Sequence, residues 1–152
     1  MTITPLSIAE NLIGLKEVPG QKDNPFIVWC LSNVGIKDAH DEIAWCAALA
    51  KSIFILCGLA DKKMTAAARS FLLVGIPINI EDFVCTGFEV VILKRGGGDQ
   101  PGKEVINAQG HVGFPKKIEG DQILVVGGNQ ADSISEAWFP LDRVLEIRRI
   151  YI

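Results

Sequence analysis

Four cysteines and two histidines are the side chains of this 152-residue chain that could carry nucleophilic or acid–base chemistry near neutral pH. Cys46 heads the most apolar segment, Ile43-Ala-Trp-Cys-Ala-Ala-Leu-Ala-Lys-Ser-Ile-Phe-Ile-Leu-Cys-Gly, directly after the polar stretch Asp38-Ala-His-Asp-Glu. A thiol in the first turn of a buried helix meets the positive end of the helix dipole and unpaired backbone N–H groups, and both favour the thiolate. The competing reading is a small buried hydrophobe, the usual fate of a free cysteine. Cys57 on the apolar helix end, Cys30 beside Trp29 and Cys85 at a loop or strand start read as packing residues. Of the two possible bases, His40 sits among charged neighbours and reads as a solvated loop residue. His111 opens the string Gly110-His-Val-Gly-Phe, where small neighbours leave room above the ring for a substrate. Gly127-Gly-Asn-Gln closes the apolar run Ile123-Leu-Val-Val. If residues 110–114 and 122–126 form a hairpin with 116–121 as its turn, Asn129 returns beside His111, within reach of a ring nitrogen. Taken alone, Gly-Gly-Asn is turn chemistry. Cys on a helix, then His and Asn on successive strands, is the order of a thiol-nucleophile site.

These groups need elements to hold them. Leu6, Ala9, Leu12, Ile13 and Lys16 recur at helical spacing, so residues 5–16 are expected to form an amphipathic helix that Val18-Pro-Gly ends. Residues 21–24 read as a polar turn. Asn24 is placed as the N-cap of a second helix that Pro25 starts and that runs to Gly35. The segment from Ile43 is apolar on nearly every side, belongs in the core, and stops at Gly58. A further helix is expected over 65–74. After residue 80 the period becomes extended, with strands expected over 88–95, 110–114, 122–126 and 144–151. Helices first and a run of strands after them is an α+β pattern, a mostly antiparallel sheet packed against helices.

Length and composition bound the rest. The chain suits one domain over 1–152, with a helical half of about 1–80 and a sheet half of about 81–152. A hydrophobic content of 49% with 22% charged residues excludes a disordered chain. Fifteen lysines and arginines against eighteen aspartates and glutamates give −3, which argues against a nucleic-acid binder. No apolar run is long enough to span a membrane. The first residues carry no basic region and no uninterrupted apolar stretch, so the protein is expected to be made in the cytoplasm without a signal peptide. The cysteines form no CxxC pair and no zinc-ligand spacing, so free thiols and no metal are expected; there is no GxGxxG or P-loop.

The motifs together carry a resemblance. Trp45-Cys46-Ala at the head of a buried helix, Gly110-His-Val-Gly-Phe on a strand and Gly127-Gly-Asn-Gln on the next resemble the NlpC-like/CHAP group of papain-fold cysteine peptidases. The nearest likeness is to its small single-domain cell-wall hydrolases of bacteria and phage lysis cassettes. Leu15-Lys-Glu-Val-Pro-Gly, Asn24-Pro-Phe-Ile-Val, Asp41-Glu-Ile-Ala-Trp-Cys and Ala68-Arg-Ser-Phe-Leu extend the resemblance over roughly residues 12 to 149. The chain departs from that pattern at Ala47, where a Ser is usual, and at Pro115-Lys-Lys, where the family continues its strand.

The resemblance implies a papain-like fold and an amidase or endopeptidase acting on peptidoglycan. Cys46 would be the nucleophile, His111 the base and then the acid, and Asn129 the residue orienting the imidazole, with no cofactor. Trp45, Glu42 and Gln130 flank that centre as pocket residues, although Trp45 serves equally well as core. An endolysin-like monomer would reach the wall through a holin, or as an effector through a secretion machine. Two other readings remain open: a papain-fold amidase, deamidase or acyltransferase with a cytoplasmic substrate, and a non-enzymatic interaction domain.

Overall fold

The computed structural model describes residues 2–15, 24–36, 45–96, 99–130 and 133–150, with the side chain of Asn129 excepted. The expected polar loop at 38–42, with His40 and Glu42, lies outside them, as do most of the turn at 21–24 and the Val18-Pro-Gly stop.

Among the described residues, three α-helices precede a six-stranded sheet. Helix α1, Pro5–Asn11, opens with Thr4 and Ser7 in a reciprocal cap, each side chain accepting from the other's backbone N–H at 3.0 and 2.9 Å. It is shorter than its apolar spacing suggested. Gly14, at φ +99°, turns the chain, and Gly14 and Leu15 then exchange backbone hydrogen bonds with Ile134. Helix α2, Pro25–Ser32, is capped as expected, with Asn24 Oδ1 accepting from the Phe26 N–H at 2.9 Å. Helix α3, Cys46–Leu56, ends before Gly58 at φ +73°. Residues 65–74 form only a 3-10 segment, Ala68–Leu73. There the Ser70 hydroxyl donates to the Ala67 carbonyl and accepts from the Thr65 N–H, a local alternative to an α-helical ladder.

The strands are β1 (Ile76–Ile78), β2 (Glu89–Lys94), β3 (Gly110–Glu119), β4 (Gln122–Gln130), β5 (Ser133–Pro140) and β6 (Val144–Arg149). They lie in the order β1-β6-β2-β3-β4-β5, and every neighbouring pair is antiparallel. Two differences from the sequence reading concern β3. Pro115 does not interrupt it, because a register shift between Pro115 and Lys117 absorbs the missing N–H. The hairpin turn is therefore Gly120-Asp121 alone, with Gly120 at φ +59° and Glu119 opposite Gln122. Strands β1 and β5 were not anticipated, and β1 begins before the expected boundary at residue 80.

The sheet is apolar on both faces. Val90, Ile92, Val112, Phe114 and Val126 pack with Leu49, Ile53 and Phe54 of α3, and the Phe54 and Phe114 rings meet at 5.8 Å. Burying each such phenylalanine contributes about 1.5–3 kcal/mol. Val91, Leu93, Ile123, Val125 and Ile147 form a second cluster on the other face. Ile78 from one end of the strand order and Phe139 from the other both pack on that cluster, so the sheet curls around it. The curl brings the start of β3, the end of β4 and the head of α3 together.

Candidate active site

Cys46 is the first residue of α3 and is 2% exposed. Its N-cap is Trp45, which supplies no side-chain acceptor, so the N–H groups of the first turn are left without a side-chain cap. His111, the second residue of β3, is 7% exposed and lies close enough to the Cys46 thiol for each group to shift the titration of the other. Its Nε2 lies 2.8 Å from Gln130 Oε1. The orientation of that amide is set by its other end, since Gln130 Nε2 donates to the Ser135 carbonyl at 2.8 Å and points to Val125 O at 3.4 Å. Oε1 is therefore the atom facing the imidazole, and His111 Nε2 carries the proton it accepts. Nδ1 is then the ring nitrogen left for the thiol.

The face of the ring is also held. Phe139 lies against it, with centroids 5.5 Å apart, and the Arg143 guanidinium sits 5.1 Å from the Phe139 centroid. Phe139 thus covers one face of the ring. Gly110 and Gly113 serve packing: a side chain at Gly110 would meet the Arg69 stem, and one at Gly113 would collide with Val125.

The electrostatics separate Cys46 from the other thiols. Burial alone pushes the Cys46 thiol up. The neighbouring His111 imidazole, the Val112 backbone and the charge of Arg95 together outweigh it and hold the thiol below its ordinary range. For His111, burial favours the neutral ring, but Cys46 and then Gln130 overcome burial and Arg95 and raise it above the ordinary histidine value. Both shifts favour a thiolate–imidazolium pair. In contrast, burial pushes Cys30 up to about 11 and also raises Cys57 and Cys85.

A cleft of about 400 Å³ opens onto Cys46. Ala66, Ala67 and Ala68 form one side, and Arg95, Asn107 and the chain leading into Gly110 form the other. The sequence reading passed over Arg95 and Asn107. Arg95 had a signal, because an antiparallel pairing of strands 88–95 and 110–114 puts it beside the start of the His111 strand; the observed pairing sets Lys94 opposite Gly110. Of the expected pocket residues, Gln130 contacts His111. Trp45 is fully buried against Leu49 and Gly128, and its indole N–H has no partner among the described residues. Glu42 lies outside the described residues. Asn129 is a residue of β4 whose side chain is likewise outside them.

Among the described residues no three His, Cys, Asp or Glu side chains converge as metal ligands, and no helix is long and apolar enough to cross a membrane. No protein-family model and no curated protein matches the chain. Among solved structures it is similar to NlpC1 from Trichomonas vaginalis, with a TM-score of 0.53 and 14% sequence identity over 97% of this chain. The chain spans 43% of that protein's length. At this identity the likeness is one of fold: helices and an antiparallel sheet in an NlpC-like arrangement.

Proposed function

We propose that the protein hydrolyses an amide bond of peptidoglycan through a Cys46 thiolate, with His111 as acid and base and Gln130 orienting the imidazole. The observation that carries this reading is the buried series Cys46, His111, Gln130, in which one thiol of four is held below its ordinary range. The peptidoglycan substrate rests on the motif resemblance and the NlpC-like fold. Asn129 was expected in the orienting role; its side chain lies outside the described residues, and the role is assigned here to Gln130, whose amide reaches the ring.

The steps follow from the arrangement. Nδ1 takes the thiol proton, and the thiolate attacks the carbonyl carbon of the bound amide. The negative charge that develops on the carbonyl oxygen can be met by the Cys46 N–H at the uncapped start of α3, where the helix dipole also favours it. As the C–N bond breaks, imidazolium Nδ1–H protonates the departing amine. Water then gives a proton to Nδ1 and attacks the thioester, which releases the carboxylic acid and restores the Cys46–His111 pair. Gln130 keeps the Nε2 proton in place throughout, so Nδ1 alone exchanges protons.

Mass spectrometry of muropeptides released from purified peptidoglycan tests the reading. Wild-type protein is expected to release fragments with a new carboxyl and a new amine at one bond, and Cys46→Ala is expected to release none. Release by both would remove Cys46 from the chemistry. Release by neither would remove the substrate.

A further inference from the structure

The chain has five arginines. Four of them spend their guanidinium groups on the fold. Arg69 donates to the carbonyls of Gln109, Gly102 and Val105, and Arg143 donates twice to that of Lys94. Arg148 binds the Val74 and Gly75 carbonyls and Glu146, and Arg149 binds Glu89 and the Val84 carbonyl. Arg95 is different. It is half-buried in the wall of the cleft above Cys46, and no hydrogen bond or ion pair joins it to any described residue. Its charge is felt at both Cys46 and His111, so it lies near the reacting atoms.

None of the described residues lining the cleft is acidic. The thiolate and the imidazolium cancel, so the described residues of the cleft carry one net positive charge in a protein whose total is −3. A guanidinium held half out of water without a counter-ion among the described residues is a ready site for a carboxylate, which it can bind through two parallel N–H donors. We propose that Arg95 is the carboxylate-binding residue of this cleft, so that the preferred substrate carries a free carboxylate beside the scissile amide. The assignment deepens the amide-hydrolase reading above and rests on it for its catalytic meaning. Arg95 is a specificity residue in this scheme. Pairing it with a substrate carboxylate also relieves its pressure on the His111 imidazolium, the form that must protonate the leaving amine.

Two measurements test this. The first needs no natural substrate: the rate of Cys46 alkylation by iodoacetate is divided by the rate with iodoacetamide, in wild type, Arg95→Gln and Arg95→Lys. The ratio cancels the thiolate fraction and reads the attraction of an anion to the cleft. It is expected to fall at least about threefold in Arg95→Gln, the effect of removing one charge a few ångströms away even at high dielectric, and to fall less in Arg95→Lys. An unchanged ratio in Arg95→Gln overturns the proposal. The second compares digestion of intact peptidoglycan with peptidoglycan whose carboxyls have been converted to amides by carbodiimide and ammonia. Wild type should slow on the amidated polymer and Arg95→Gln should not distinguish the two. Equal slowing of Arg95→Gln on both, with wild type indifferent to amidation, would place Arg95 on the oxyanion and overturn the carboxylate assignment. If wild type cleaves neither polymer, the peptidoglycan reading fails, and the alkylation ratio still decides Arg95.

Discussion

The proton on His111 Nε2 is committed to Gln130, and this decides which ring nitrogen can serve the thiol. Gln130→Ala removes the acceptor, frees the ring to turn and lowers the preference for imidazolium. It is expected to reduce kcat by about 10- to 100-fold, less than the 10²–10⁴ expected of His111→Ala. The pH dependence follows from the directions of the two shifts. Because Cys46 is lowered and His111 raised, the ion pair exists between them. Activity should fall on the acid side as the thiolate protonates, at a pH below that of an ordinary thiol. It should fall on the alkaline side as the imidazolium deprotonates, above the pH of an ordinary histidine. In Gln130→Ala the alkaline limb should move to lower pH, and a pH–kcat/KM profile in which it stays put would contradict the orienting role. Cys46 and His111 were legible because one heads an apolar helix and the other a strand, positions that a short description of elements can place. That Gln130 reaches the ring was not, because a register shift between Gly127 and Gln130 breaks the strand alternation from which the facing residue would be read.

At the scale of the element, the Gly127-Gly128 pair is strand rather than turn. Neither residue has positive φ, so the missing side chain, and not backbone freedom, is what each position uses. A Cβ at Gly127 would stand 2.6 Å from Gln130 Oε1 and 3.3 Å from His111 Nε2. The end of a glutamine can swing aside, so Gly127→Ala is expected to fold normally in urea titrations and to show the kinetics of Gln130→Ala. A Cβ at Gly128 would stand 2.6 Å from the Trp45 ring and 3.0 Å from Leu49, in the core. An indole cannot yield so cheaply, and Gly128→Ala should cost about 1–3 kcal/mol by overpacking. It should also shift Trp45, the N-cap of α3, and slow Cys46 alkylation. Equal behaviour of the two variants in both assays would refute this division. The same level explains what the sequence reading missed. β5, with Ser133-Ile-Ser-Glu-Ala-Trp-Phe-Pro, does alternate in burial, but Ala137, Trp138 and Phe139 are consecutive and so do not show the apolar–polar alternation that marks a strand. α1 lost its last turn to pairing with β5, a contact that no local pattern records.

Over the whole molecule, the site depends on Arg69. Its side chain is fully buried, and no carboxylate meets it among the described residues. It ties the 3-10 segment of the helical half to the Gly102, Val105 and Gln109 carbonyls, and so holds the chain that forms one wall of the cleft and leads into His111. A charge buried on carbonyls alone is expensive, and one Nη2 lacks a partner among the described residues. Retaining it makes physical sense because three carbonyls over eight residues need donors and no ladder reaches them. Arg69→Ala would leave the Val105 and Gln109 carbonyls without this donor and Gly102 O with the Val105 N–H alone, beside a cavity, at a cost of about 3–5 kcal/mol, and a Tm lower by about 6–20 °C at 2–4 °C per kcal/mol for a chain of this size. Arg69→Met fills most of the volume and removes the buried charge, so it should recover part of the Tm. It should not recover the cleft, because nothing in it can hold the carbonyls. The expected signature in Arg69→Met is faster proteolytic nicking between residues 99 and 109 with a lowered kcat, at a temperature where far-UV circular dichroism is still native. If Arg69→Met instead nicks and turns over like wild type, the wall is held by the sheet alone, and the buried arginine belongs to stability rather than to the site.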